Sequence, residues 1–191
     1  MELWNSADNQ ITFEPFPKMA RLSRDIVITE KIDGTNAQVI ITDDGQIGFA
    51  SRTRLLSPEK GDDNMGFGVW GLANKDELLK LGPGRHFGEW WGGKIQRGYG
   101  LKEKRFSLFN TGRWNAENTP SCCLIVPVLY SGLYSEAAIE GALETLRHMG
   151  SVAAPGFMDP EGIVIYHTAA GFAFKKTLKN DEKPKGSLEK G

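Results

Sequence analysis

The sequence predicts one α+β domain, and three observations carry that reading. Short runs rich in β-branched residues come in pairs around tight turns, and one amphipathic helix is capped at both ends. Glycine is abundant, at 23 of 191 residues against a usual share of ~7%. The chain is long enough for one sizeable core, and no internal repeat, linker or second composition regime divides it.

In chain order, residues 26–32 (IVITEKI) and 37–42 (AQVIIT) read as strands. The turn Asp43-Asp44-Gly45 leads the second into residues 46–51, giving a hairpin. The loop SPEKGDDNMGFG that follows is expected to be mobile or to face a substrate. Asn74, with Glu77 three residues on, predicts a capping box for a short helix through Leu81, closed by Gly82-Pro83. Strands are expected again over 85–91, 105–110 and 122–130. The clearest helix spans 136–149. Ser135 caps it, Ile139, Ala142, Leu143 and Leu146 form its apolar stripe, and Arg147 and His148 sit in its last turn before Gly150. A last hairpin pairs 162–167 with 172–177 around Ala169-Ala170-Gly171, and a charged tail follows from about residue 180.

Composition narrows the function. A formal charge of -1 supplies no global basic field, so any nucleic acid must be handled in a local groove. Cys122 and Cys123 are adjacent, which rarely meets disulfide geometry, and they read as small buried residues of a reducing compartment. The N-terminal stretch MELWNSADNQ is acidic and polar, unlike a signal peptide, and the run CCLIVPVLY is too short to span a bilayer. A cytoplasmic location and no membrane partner are expected. His86, His148 and His167 lack ligand spacing, which argues against zinc, and no Walker loop is present.

The chemistry sits in an ordered series of polar residues on strands that otherwise read as core. It runs Glu30-Lys31-Ile32-Asp33-Gly34-Thr35-Asn36, Ser51-Arg52-Thr53-Arg54, Phe87-Gly88-Glu89-Trp90, Phe106-Ser107-Leu108-Phe109, Glu161-Gly162-Ile163-Val164-Ile165 and Phe174-Lys175-Lys176-Thr177. Alone, Lys31 beside Glu30 and Asp33 would be a surface ion pair at a strand end. As a set, the series resembles the covalent nucleotidyltransferases, the superfamily of ATP-dependent ligases and mRNA capping enzymes, from about residue 28 to 177. The form EKIDGTN is most similar to ATP-dependent RNA ligases of the RNA ligase 2 type. DNA ligases and capping enzymes usually carry arginine where this chain has Asn36.

The resemblance implies a single nucleotidyltransferase (ATP-grasp-like) domain whose antiparallel sheets enclose an ATP cleft. It also implies that Lys31 attacks the α-phosphorus of ATP, expels pyrophosphate and holds AMP as a phosphoramidate. The AMP would pass to an RNA 5′-phosphate, and a 3′-hydroxyl would displace it to seal RNA ends or a nick. By the same resemblance Glu30, Asn36, Arg52, Glu89, Phe109 and Lys175 contact the nucleotide. Arg52 would supply a guanidinium fork, Glu89 an acceptor for ribose hydroxyls and Phe109 a stacking ring for adenine. Asp33 and Glu161 would organise Mg²⁺ or Mn²⁺ through water, and Lys175 would neutralise charge on the α-phosphate.

Beside this stand plainer expectations. Phe106 belongs to the core by strand alternation, Trp90 and Trp91 pack, and the basic stretch KIQRGYGLKEKR is either a solvated face or an RNA-contacting strip. In the last motif Lys175 shares a face with Thr177, whereas Lys176 lies with Phe172 and Phe174 on what reads as the packed side. Two departures from the family pattern matter. Thr177 stands where a second lysine is usual. The chain also ends soon after the last motif, so an accessory C-terminal domain is expected to be missing, with a partner protein a candidate replacement. A DNA-nick ligase, an end-adenylating enzyme and a non-catalytic nucleotide-sensing or nucleic-acid-binding protein of the same fold are the alternatives.

Overall fold

The computed structural model describes residues 13–182; the acidic N-terminal stretch and the tail beyond Glu182 lie outside the described residues. In chain order the strands are β1 (Asp25–Lys31), β2 (Thr35–Ile41), β3 (Ile47–Ser51), β4 (Gly84–Gly92) and β5 (Lys104–Leu108). They continue with β6 (Leu124–Ile125), β7 (Val128–Leu133), β8 (Gly162–His167) and β9 (Phe172–Thr177). The helices are α1 (Phe67–Ala73), α2 (Lys75–Leu79) and α3 (Glu136–Met149). Strands form a four-stranded sheet in the order β7-β1-β8-β9 and a five-stranded sheet in the order β3-β2-β4-β5-β6. All pairs are antiparallel except β5–β6. The α+β class with antiparallel-rich sheets is as expected.

Strand alternation gives each sheet one face packed on helices and one face of mixed character that holds its charged residues. Ile26, Ile28, Ile163 and Ile165 of the four-stranded sheet pack on Ala142, Leu143 and Leu146 of α3. Ser135 caps α3 as expected, its hydroxyl accepting from the Ala138 N–H. Ala37, Val39, Trp90, Phe106 and Leu108 of the five-stranded sheet pack with Phe67 of α1 and Leu78 of α2. A third cluster, Ile32, Trp91, Tyr99, Val126 and Ala154, sits where the chain passes between the sheets. The opposite faces carry Thr29, Lys31 and Lys175 on the four-stranded sheet and Asn36, Glu89 and Ser107 on the five-stranded one, and Lys31 and Glu89 approach each other across a groove.

Several local expectations are corrected. Residues 57–68, expected as a loop, hold two 3-10 turns, Pro58–Lys60 and Asn64–Gly66, and the second leads directly into α1. The capping box is absent, because Asn74 donates its side-chain amide back to Trp70 O at 2.8 Å and joins α1 to α2. Glu77 instead pairs with Lys80 and accepts from Ser121. The strand expected over 122–130 is two, since Pro127 lacks an N–H for the ladder and the chain changes sheets there. Phe172 and Phe174 are 62% and 55% exposed, because β9 is an edge strand reaching beyond α3. Both cysteines are free thiols. No helix among the described residues is long and apolar enough to cross a membrane.

Candidate active site

Lys31 ends β1 and pairs in register with Gly162, so it stands on the polar face beside the first residues of β8. Its ammonium donates to Glu161 Oε2 at 2.5 Å, and the two side chains are 22% and 8% exposed. Gly162 has no room for a side chain: a Cβ would sit 2.2 Å from Lys176 O, so β8 and β9 close tightly below this pair. Gly34 is required for a similar reason, a Cβ there meeting Trp90 O at 2.4 Å. That close approach brings the Gly34 N–H to Glu89 Oε1 at 3.0 Å, across to the other sheet.

Glu89 is held from two sides, its second oxygen accepting from Asn36 Nδ2 at 3.1 Å. Burial pushes its carboxyl up to about 7, against the opposing pull of Lys31 and the Gly34 N–H, with Glu161 and Asp33 adding to the rise. Asp33 accepts from Arg97 Nε at 3.1 Å, and its own N–H donates to the Tyr99 hydroxyl at 2.7 Å. Arg97 reaches on to Asp159 through its carbonyl (3.0 Å) and carboxylate (2.5 Å), and Lys179 meets Asp159 Oδ1 at 2.7 Å. One guanidinium thus ties together the segments after β1 and before β8, and through Asp159 the one after β9.

Lys31, Asp33, Asn36, Glu89 and Glu161 are brought together. Lys175 pairs with Val164, which pairs with Thr29, so alternation sets Lys175 and Thr177 on the Lys31 face. Lys176 is on the α3 face, 3.9 Å from Glu140. Phe109 follows β5, its N–H bonded to Phe87 O at 3.0 Å, two residues beyond Ser107, which pairs with Glu89. Arg52 lies in the exposed turn after β3, at the margin of the sheet rather than in the cluster.

Glu30 is the correction among the site residues. Alternation points it away from the groove, and it accepts from Ser151 Oγ (2.6 Å), Val152 N (2.8 Å) and Ala153 N (2.9 Å). It is 1% exposed, and burial raises its carboxyl despite these donors. Its side chain anchors the loop after α3 and is not available to a nucleotide.

Sequence reasoning missed Arg97 and Tyr99. Arg97 and Tyr99 lie inside the basic stretch, which is neither wholly solvated nor a uniform strip: Arg97 turns inward, while Lys104 donates to Met65 O. Tyr99 occupies the left-handed region at φ 53°, held by its Asp33 bond and by ring contacts with Trp91 and Phe157. The glycines flanking it in RGYG were the available signal. A depression of ≈500 Å³ beside α3 and β9 is lined by both Lys175 and Lys176, which flank the edge strand, and neither it nor one of ≈490 Å³ beside Phe157 includes Lys31, Glu89 or Glu161. The site is marked by its row of polar side chains on an open groove.

The fold agrees with comparison to known proteins. Solved structures with a similar fold include mutants of the Naegleria gruberi RNA ligase. One, with AMP and Mn, has a TM-score of 0.55 at 20% identity over 82% of this chain and 50% of that chain. Another, with ATP and Mn, has a TM-score of 0.56 at 19% identity over 81% and 50%. This chain therefore spans about half the length of those it matches. No curated protein matches in sequence. The RNA ligase family model matches residues 24–180, and the chain belongs to that family.

Proposed function

We propose that the chain is an ATP-dependent RNA ligase that works through AMP bound covalently to Lys31. The observation that carries this reading is the Lys31–Glu161 pair at 2.5 Å, facing Glu89 and Asn36 across the groove between the two sheets. An amine attacks only after losing its proton, and Glu161, which accepts from the Lys31 ammonium, is the carboxylate placed to take it. The Lys31 nitrogen forms a bond to the α-phosphorus as the bond to pyrophosphate breaks. Lys175, on the same face, takes up charge gathering on the phosphate oxygens. Glu89 accepts from the ribose hydroxyls, and Phe109 stacks on adenine.

Asp33 and Glu161 fit a divalent cation as hard carboxylate donors. Among the described residues no group of three His, Cys, Asp or Glu is arranged around one point. Mg²⁺ or Mn²⁺ would therefore keep several waters and phosphate oxygens, as an octahedral ion held by one or two carboxylates does. When bound, the ion supplies charge neutralisation at the phosphates. Nucleotide and manganese in the similar structures support the same choice. RNA ends or nicked RNA are the proposed substrates, a partner protein could assist their docking, and a cytoplasmic setting suits the free thiols.

The test is a two-stage label transfer. The protein is incubated with α-labelled ATP and Mg²⁺ or Mn²⁺, then chased with 5′-phosphorylated RNA or an all-DNA equivalent. Labelled protein whose label moves to RNA in preference to DNA supports the proposal. Preference for a DNA nick favours the DNA-ligase alternative, label that stays on the RNA end without sealing favours an end-adenylating enzyme, and unlabelled protein favours a non-catalytic binder.

A further inference from the structure

Two apolar features lie uncovered on this chain, far from the row of polar side chains in the groove. The first is the segment before β1. Residues 13–21 (FEPFPKMAR) take no helix or strand, and they lead into Leu22, whose carbonyl accepts from His167 Nε2 at 2.9 Å. Phe13, Phe16 and Met19 are 87–88% exposed. A single exposed apolar side chain is ordinary, but such a run within one short segment marks a contact surface.

The second is the outer edge of β9. The Leu178 N–H bonds inward to Glu161 O at 2.9 Å, whereas the Thr177 N–H turns outward to Asp181 Oδ1 at 2.8 Å. By alternation Ala173 and Lys175 also turn their backbone groups outward, and among the described residues no strand lies there. On the α3 side of this edge Phe172 and Phe174 meet edge to face, ring centroids 5.3 Å apart. The depression between β9 and α3 adjoins them, its apolar lining including Ile139 and Ile165 and its helix rim carrying Glu136 and Glu140.

We propose that residues 13–21 of a second copy add as a strand to β9, and that two chains exchange these segments reciprocally to form a dimer. The segment has the pattern of a strand that bonds on one side only. Pro15 and Pro17 hold the residues before them extended. Lying two apart, they set both missing N–H groups on one edge and leave Glu14, Phe16 and Lys18 to bond on the other, the arrangement proper to an outermost strand. Alternation then gathers Phe13, Pro15, Pro17, Met19 and Arg21 on one face. That apolar face covers Phe172, Phe174 and the depression, and Arg21 meets the acidic rim at Glu136. Phe16, on the other face, falls beside Ala173 and its cross-strand neighbour Tyr166, which is 44% exposed. Within one chain the segment stands open, so the contact is made between copies, and a twofold axis satisfies both segments at once. Two exchanged segments and the surfaces they cover remove on the order of 1,200 Å² from water, the size of a specific interface.

The experiment is sedimentation velocity of the full chain across the micromolar range, and no step of it depends on AMP transfer. The wild type should show a monomer–dimer equilibrium. One variant carries Phe13→Ser with Met19→Ser, and a second carries Phe172→Ser with Phe174→Ser. All four side chains are exposed, and unchanged thermal midpoints confirm folding. Each variant alone should dimerise at least about tenfold more weakly, the scale of losing anchor side chains. Their equimolar mixture keeps one intact segment and one intact edge, so it should associate more tightly than either variant alone. Arg21→Glu and Glu136→Arg should each weaken the dimer, and the two together should restore it in part. A wild type that stays monomeric overturns the proposal, whether the segment remains free or folds back on its own β9. So does a dimer that survives both serine variants, a mixture no tighter than its components, or a charge exchange without recovery.

Discussion

The two faces of β1 carry neighbouring charged residues to opposite ends. Glu30 points toward α3 and is consumed by three donors from the loop after that helix. Lys31 points into the groove, where one carboxylate holds it and it remains 22% exposed. The same contrast recurs on β9, where Lys175 shares the Lys31 face and Lys176 reaches toward Glu140 on α3. A single step along a strand thus separates a group spent on stability from one left facing the groove. Adjacent residues in a motif need not share a function.

The sharpest way to break this comparison is to exchange the losses at residues 30 and 31. Lys31→Ala should remove all AMP from the protein while leaving the denaturation midpoint nearly unchanged. Glu30→Ala should do the reverse. It strands two backbone N–H groups and a hydroxyl, each buried donor costing about 1–3 kcal/mol when unpaired. A drop of about 3 kcal/mol in urea unfolding is expected, with AMP labelling preserved in the fraction that stays folded. Equal stability of the two variants would erase the distinction between the faces.

The second contrast is smaller because neither lysine is the proposed nucleophile. Lys175→Ala should reduce labelled Lys31 by two orders of magnitude or about that, the scale of one lost transition-state contact. Lys176→Ala should cost little beyond an exposed ion pair. A severe loss at Lys176 instead would mean that the strand's register is displaced by one residue.

The smallest effect is a pH dependence from Glu89, whose carboxyl is raised from its usual 4.5 to about 7. A carboxyl raised in the folded state binds its proton more tightly there than when unfolded. Its contribution to stability is therefore present below 4.5 and is lost as pH rises toward about 7. Nucleotide binding should run the other way, because the ionised form accepts from both ribose and Asn36. ATP affinity is expected to weaken as pH falls below about 7, and Glu89→Gln should flatten both profiles. Profiles that remain steep in Glu89→Gln would assign the titration to another group.

Much of this arrangement was legible in the sequence, for identifiable reasons. The strands around Lys31, Glu89 and Glu161 alternate cleanly, so their faces follow from period two, and the α3 stripe and cap follow from period 3.6. What was not legible depends on contacts between distant segments. Nothing local to Glu30 announces that Ser151, Val152 and Ala153 will surround it, 121 to 123 residues away. Arg97 was hidden among charges most of which face solvent, and its inward turn is set by Asp33 and Asp159. The helix α1 was missed because glycines punctuate Phe67–Ala73, and it forms because Phe67 and Trp70 pack with Trp90 and Phe106.

The central claim is that Lys31, and no other group on the groove face, carries the AMP. Mapping by mass spectrometry of peptides from protein incubated with ATP and Mn²⁺ tests it directly. The account predicts AMP on the peptide containing Lys31, through an acid-labile phosphoramidate, and its complete absence from Lys31→Ala. AMP found on Lys175, Lys176 or any other residue, or no adduct on protein that demonstrably binds ATP, would contradict it.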